Sequence, residues 1–187
     1  MHSVRQQQRA DTSAPAALPR LTLVLGGARS GKSRYAETLV GPRSALYIAT
    51  AEVRDSEMAD RVRLHRSRRG ANWRTRETPF DLAAVLRDTA ADEPVLVDCL
   101  TLWLSNLLLV GRDVASECAA LLTALTAGVS PTILVANEVG LGIVPDNELA
   151  RAFRDHAGRL NQEIAAIADR VVFVAAGLPL VLKDVAR

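Results

Sequence analysis

The sequence predicts an α/β protein with a mostly parallel central sheet flanked by helices. Three observations carry that expectation. Short apolar runs alternate with helical patterns along the whole chain. The runs are apolar throughout, as in strands buried on both faces, instead of alternating apolar and polar. The first run stops at a glycine-rich loop that opens a helix, as a parallel phosphate-binding fold requires.

The elements follow in order. Leu21-Thr22-Leu23-Val24-Leu25 reads as a buried strand ending at Gly26-Gly27, and Ser33 to Val40 as a helix. Ala45 to Ala49 is a second strand. Ser56 is a helix N-cap candidate, because its hydroxyl accepts from unpaired first-turn N–H groups, and that helix runs to about Arg66. Pro79 to Asp88 reads as a helix, Pro94 to Asp98 as a third strand, and the apolar stretch through Leu109 as a helix. Val114 to Ala127 is helical, Thr132 to Ala136 is a fourth strand, and Asn147 to Asp169 is a long amphipathic helix. Arg170 to Ala175 is a fifth strand, and Leu178 to Leu182 is a candidate edge strand.

Composition bounds the function. The chain of 187 residues is 49% apolar and 24% charged, so it suits one folded domain and argues against disorder. A net charge of +2 disfavours a strongly basic nucleic-acid binder. Cys99 and Cys118 lack CxxC spacing, which points to reduced thiols in a cytoplasmic protein and away from a disulfide scaffold or a cysteine zinc site. No apolar run reaches membrane-spanning length. Residues 1–20 are polar, carry Gln6-Gln7-Gln8 and lack the apolar stretch of a signal peptide. They read as a mobile extension or a mis-called start, with one domain over 21–187.

Gly26-Gly27-Ala28-Arg29-Ser30-Gly31-Lys32-Ser33 fits GxxxxGK[ST] between a strand and a helix. In such a loop, glycines let backbone N–H groups turn inward around phosphate oxygens, and the helix N-terminus adds positive potential. Lys32 is then the amine for the terminal phosphates and Ser33 a Mg²⁺ ligand. Lysine usage singles out the first of these: Lys32 and Lys183 are the only lysines among 23 Lys and Arg residues. Asp98 ends an apolar strand, where such folds place a second acidic Mg²⁺ partner; the plain alternative is a strand-end Asp capping the next helix.

Arg61, Arg63, Arg66, Arg68, Arg69, Arg74 and Arg76 crowd one segment around His65. Three readings stay open on these residues. The segment is a solvated basic face, a nucleic-acid surface with only Trp73 for base stacking, or a triphosphate site. In the last case the cations keep the His65 imidazole neutral and nucleophilic. His2 and His156 receive no role. Glu138 follows the fourth strand as Asp98 follows the third, which puts both at the carboxyl edge of the sheet.

Six segments then occur in order: GGARSGKS (26–33), YIATAE (47–52), EMADRVRLHRSRR (57–69), WRTRE (73–77), VDCLTLWLSNLL (97–108) and ANEVGLGIVPDNELARAFRDHAGRLNQEIA (136–165). Together they resemble the bifunctional adenosylcobinamide kinase / adenosylcobinamide-phosphate guanylyltransferase family of cobalamin biosynthesis. The resemblance covers essentially everything after residue 20; the first twenty residues have no counterpart. It implies a RecA-like P-loop NTPase fold and two reactions. Adenosylcobinamide is phosphorylated with ATP or GTP, and GMP passes from GTP to adenosylcobinamide phosphate through a histidine, matched here by His65. It further implies nucleotide contacts at the P-loop (Gly26, Gly27, Ala28, Arg29, Ser30, Gly31, Lys32, Ser33), at Ala49, Thr50 and Ala51, at Arg66, Ser67, Arg68 and Arg69, and at Glu77 and Asp98. Magnesium is the expected cofactor, held by Ser33 and Asp98, and a homotrimer is expected by analogy. Two other functions compete. One is a P-loop small-molecule kinase with no transferase step; the other is a RecA-like nucleic-acid-stimulated ATPase using the arginine stripe.

Overall fold

Strand order, more than strand content, places the functional residues. The computed structural model describes residues 17–52 and 70–185. Its strands are β1 (Leu21–Gly26), β2 (Ala45–Ala49), β3 (Trp73–Glu77), β4 (Val95–Asp98), β5 (Thr132–Asn137), β6 (Arg170–Ala175) and β7 (Leu178–Asp184). They form one seven-stranded sheet in the order β3-β2-β4-β5-β1-β6-β7. All neighbours pair in parallel except β6 and β7, which form an antiparallel hairpin. The described helices are α1 (Lys32–Val40), α2 (Leu82–Arg87), α3 (Leu100–Leu109), α4 (Val114–Ala127) and α5 (Glu148–Ile167).

Side chains alternate across each strand, so the sheet builds a core on both faces. On one face Leu23, Ile48, Val97 and Leu134 pack with Leu82, Trp103, Leu121 and Leu160 from α2 to α5. On the other, Val24, Leu96, Val135 and Val172 pack with Ala36 and Val40 of α1. Trp103 is fully buried, and its indole N–H donates to the Phe80 carbonyl at 2.7 Å, as a buried indole needs.

The five anticipated strands and the candidate edge strand are present, the last extended to Asp184. The helix expected over 79–88 shortens to Leu82–Arg87, because the Pro79 and Phe80 carbonyls accept from Asn106 and Trp103 of α3. Asn147 is the N-cap of α5, its side chain accepting from the Ala150 N–H at 2.7 Å. One strand, β3, is not predicted by its sequence. WRTRE has no apolar run; as an edge strand with one neighbour it leaves Arg74 to Glu77 exposed. The helix expected from Ser56 to Arg66 lies outside the described residues. Among the described residues no helix is long and apolar enough to cross a membrane.

Candidate nucleotide site

Six parallel strands end along one edge of the sheet, and the site is built there. β1 runs into the loop Gly26–Gly31, and α1 begins at Lys32. Backbone conformation makes this loop depend on glycine at two places. Gly31 caps α1 at φ +94, a left-handed conformation that costs side-chain-bearing residues energy. At Gly26 an added Cβ would lie 2.4 Å from the Val174 carbonyl oxygen and 2.6 Å from Ser30 Oγ. The loop is thus pressed against β6.

Lys32 is buried, and its Nζ donates to the Gly27 carbonyl at 3.0 Å, folding the amine back over the loop. Ser33 stands in the first turn of α1. Ser30 Oγ is buried and has no hydrogen-bond partner among the described residues, an orphan that a phosphate oxygen would satisfy. A cleft of about 440 Å³ opens beside the loop, with Gly27, Arg29, Ser30, Glu138 and Leu141 among its lining residues. A second cavity of about 360 Å³ lies at the opposite edge, between Leu86, Val95, Leu125 and Thr132. Ligands of open parallel sheets bind at the carboxyl ends of the strands, so the first cleft is the candidate site.

Register aligns the other expected residues. Ala49 of β2 pairs with Glu77 of β3 on one side and Asp98 of β4 on the other. Asp98 accepts from the Tyr47 hydroxyl at 3.0 Å. Asp98 and β1 are separated by β5 alone. Lys32 and Asp98 both act on the thiol of Cys99, in opposite senses, Asp98 raising and Lys32 lowering it. Burial, then the Asp98 charge, pushes the Cys99 thiol up to about 11, so it is a structural thiol and no nucleophile.

Thr50 is wholly buried and fully engaged. Its Oγ1 donates to the Cys99 carbonyl at 2.7 Å and accepts from the Cys99 N–H at 2.8 Å. Its own N–H donates to the Asp98 carbonyl at 3.3 Å, and its carbonyl accepts from Asn106 Nδ2 at 2.8 Å. In this structure Thr50 clamps the end of β2 to the β4–α3 junction that carries Asp98. Glu77 is exposed at the sheet edge, four strand positions from β1. At about 4.8 Å per strand that is roughly 19 Å, beyond the reach of the phosphate loop itself. His65, Arg66, Ser67, Arg68 and Arg69 lie outside the described residues.

Two residues at the end of β5 join the site. The Asn137 N–H donates to Thr101 Oγ1 at 2.6 Å, and Asn137 Oδ1 is buried without a partner among the described residues. Sequence reasoning misses Asn137; its only signal is a polar residue closing an apolar strand. The Glu138 N–H donates to the Gly26 carbonyl at 3.1 Å, tying that residue directly to the P-loop.

The residues present fit a magnesium ion. Mg²⁺ takes hard oxygen ligands and keeps most of its shell from phosphates and water, so one or two protein oxygens suffice. Ser33 and Asp98 offer such oxygens at this edge, and the orphaned Asn137 Oδ1 is a third hard acceptor there. Among the described residues no cluster of three or more His, Cys, Asp or Glu side chains forms a self-sufficient metal cage.

Of the arginine stripe, Arg74 and Arg76 lie within the described residues. Arg74 pairs with Glu93 at 2.7 Å, and the Trp73 ring packs edge-on against Tyr47, 6.0 Å between centroids. Neither arrangement is an open platform for nucleic-acid bases.

Residues 22–182 match the family described as cobinamide kinase / cobinamide phosphate guanyltransferase. The chain is 52% identical over 166 residues to the bifunctional adenosylcobalamin biosynthesis protein CobP of Pseudomonas aeruginosa, covering 86% of this chain and 96% of that one. It is 42% identical over 180 residues to the bifunctional adenosylcobalamin biosynthesis protein CobU of Salmonella typhimurium, covering 87% and 99%. Among solved structures, an ATPase from a bacterial type III secretion system superposes with a TM-score of 0.54 at 14% identity. That match covers 89% of this chain and 57% of the ATPase. A Pyrococcus horikoshii protein superposes with a TM-score of 0.53 at 9% identity, covering 92% and 90%. These two likenesses concern the fold alone.

Proposed function

The chain belongs to the cobinamide kinase / cobinamide phosphate guanyltransferase family, and on that premise we propose that it catalyses two successive phosphorus transfers. It phosphorylates adenosylcobinamide with ATP or GTP, then transfers GMP from GTP to adenosylcobinamide phosphate, giving adenosylcobinamide-GDP. The observation that carries this reading is the family match over 22–182, with the phosphate loop standing where β1 meets α1.

In the kinase step the acceptor hydroxyl oxygen attacks the γ-phosphorus, the bond from that phosphorus to the bridging oxygen breaks, and the nucleoside diphosphate leaves with the electron pair. Backbone N–H groups of Gly27 to Lys32 and the start of α1 receive the phosphate oxygens. Lys32 exchanges its bond to Gly27 O for one to a terminal phosphate oxygen, so it stabilises charge without a long search. Magnesium, when bound by Ser33 and Asp98, supplies further charge neutralisation. Thr50 and Tyr47 hold Asp98 in place for that task.

In the transfer step we assign the nucleophile to His65. A neutral imidazole nitrogen bonds to the α-phosphorus and pyrophosphate leaves. A phosphate oxygen of adenosylcobinamide phosphate then displaces the imidazole and takes GMP. Arg66, Arg68 and Arg69 disfavour imidazole protonation and pair with the leaving pyrophosphate. Ala49, Ala51 and Glu77 are proposed nucleotide contacts. The reading includes a cytoplasmic homotrimer by analogy with the family; the exposed Leu178, Leu180 and Leu182 on edge strand β7 offer an apolar face for association.

The test is retention of label from α-labelled GTP on the denatured protein, with Mg²⁺ and no corrinoid. An acid-labile, alkali-stable adduct that is lost in His65→Ala and discharged by adenosylcobinamide phosphate is expected. Folded wild type that takes no label overturns the covalent mechanism.

A further inference from the structure

We infer that Glu138 receives the proton of the acceptor hydroxyl in phosphoryl transfer, and that the apolar loop after it seats the body of the acceptor. This rests on the kinase reading above.

The placement is specific. β5 is the immediate neighbour of β1, and the hydrogen bond from Glu138 N–H to Gly26 O fixes the residue beside the first turn of the phosphate loop. Glu138 lines the same cleft as Gly27, Arg29 and Ser30. Asp98 stands one strand farther from β1 and already accepts from Tyr47. Among the described residues, Glu138 is thus an acidic residue beside the loop that the metal reading leaves unused.

The carboxylate is also oriented. Glu138 Oε1 accepts from the Gly140 N–H at 2.6 Å, so that bond engages one carboxylate oxygen of a residue that lines the cleft. A Cβ on Gly140 would come within 2.9 Å of Oε1, so a side chain there would push the carboxylate from this position while the backbone turn could stay. A carboxylate tethered through one oxygen beside a phosphate cradle is arranged to take a proton from an attacking hydroxyl. As the acceptor oxygen bonds to the γ-phosphorus, its proton passes to Oε2 and the bridging oxygen leaves with its electron pair on the nucleoside diphosphate.

The loop beyond Glu138 suits a large, partly apolar acceptor. Leu141 lines the cleft and is 83% exposed; Ile143 is 97% exposed and Val144 62%. Apolar side chains this exposed, continuous with a polar reaction centre, match an acceptor whose hydroxyl enters the cleft while its bulk stays outside.

The experiment measures acceptor-dependent phosphoryl transfer from γ-labelled GTP to adenosylcobinamide, together with binding of a fluorescent GTP analogue. For Glu138→Gln, kcat is expected to fall about 100-fold or more with nucleotide affinity undiminished, and Glu138→Asp is expected to recover part of the rate. Gly140→Ala is expected to lower kcat by displacing the carboxylate. Ile143→Ser is expected to raise the acceptor KM about tenfold with kcat within about twofold, the signature of lost uniform binding. Wild type that phosphorylates the acceptor while Glu138→Gln keeps its rate within about threefold overturns this assignment alone. Wild type that transfers no phosphate to the acceptor overturns the kinase reading and this assignment with it.

Discussion

The backbone N–H of Gly177 donates to the carbonyl of Ser30 at 2.8 Å, so the turn of the β6–β7 hairpin rests directly on the phosphate loop. The two glycines of this contact depend on each other: Gly177 has φ +79, Gly31 has φ +94, and a Cβ on Gly31 would sit 3.2 Å from Gly177 Cα. The Gly26–Gly31 loop is thereby shaped by an element from the far end of the chain.

Gly177→Ala tests that brace. A Cβ there meets nothing within 4 Å, so the cost is purely conformational, about 1–2 kcal/mol for a left-handed residue. The melting temperature should drop by about 2–4 °C for each kcal/mol in a chain of this size. GTP affinity should weaken with it. Thermal denaturation and nucleotide titration of the same variant check both outcomes.

Gly26→Ala acts by overlap. The new methyl group would lie 2.4 Å from the Val174 backbone oxygen, which cannot rotate away as a side chain can. Overpacking of this kind costs about 1–3 kcal/mol, and here the displacement falls on the loop itself. Loss of GTP binding in a folded but less stable protein is the expected outcome, read by circular dichroism and calorimetric titration.

Lys32→Ala removes the amine over the loop. The folded state loses the hydrogen bond to Gly27 O, so the melting temperature should fall by a few degrees, about 1–2 kcal/mol. Phosphoryl transfer should fall at least about 100-fold, the usual effect of deleting one preorganised donor to transition-state charge. Steady-state kinetics beside a melting curve separate the two effects.

Thr50→Val leaves the buried Cys99 N–H without its acceptor and the Cys99 carbonyl without its donor. An orphaned buried polar group costs about 1–3 kcal/mol. Thr50→Ser keeps the hydroxyl and should retain most of that stability. Urea denaturation of the pair distinguishes hydrogen bonding from packing.

Cys99 predicts an alkaline limb. Its thiol is pushed up to about 11 from an ordinary value of 9.0 by burial, with Asp98 second. Between those values the unfolded chain has released the proton and the folded chain retains it, so stability falls as pH rises. The loss is about 1.4 kcal/mol per pH unit from this one group, and it begins only above about pH 9. Cys99→Ala should show a shallower decline between about pH 9 and 11 in denaturant titrations.

Local chemistry is enough to read much of this protein in advance. Apolar runs between turn residues locate every strand but β3, because a strand buried on two faces must be apolar along its length. GGARSGKS announces the phosphate loop, because glycine, lysine and serine at that spacing between strand and helix serve one geometry. Asp98 is legible as a strand-end carboxylate. Order across the sheet is a different matter, since it depends on contacts between residues far apart in the chain. β3 is illegible in WRTRE, because only pairing with β2 makes a charged segment a strand. Thr50 reads as a nucleotide contact, yet folding commits its hydroxyl to the β4–α3 junction. The strand order sets Glu77 roughly 19 Å from the phosphate loop, so as a nucleotide contact it would meet a part of the nucleotide far from the phosphates the loop holds. Asn137 and Glu138 join the P-loop because β5 lies beside β1. Residue chemistry alone thus sets every strand but β3, the loop and the family. Which carboxylates meet the phosphates is settled by folding, because hydrogen-bonded register between distant strands fixes distance and spacing along the chain does not.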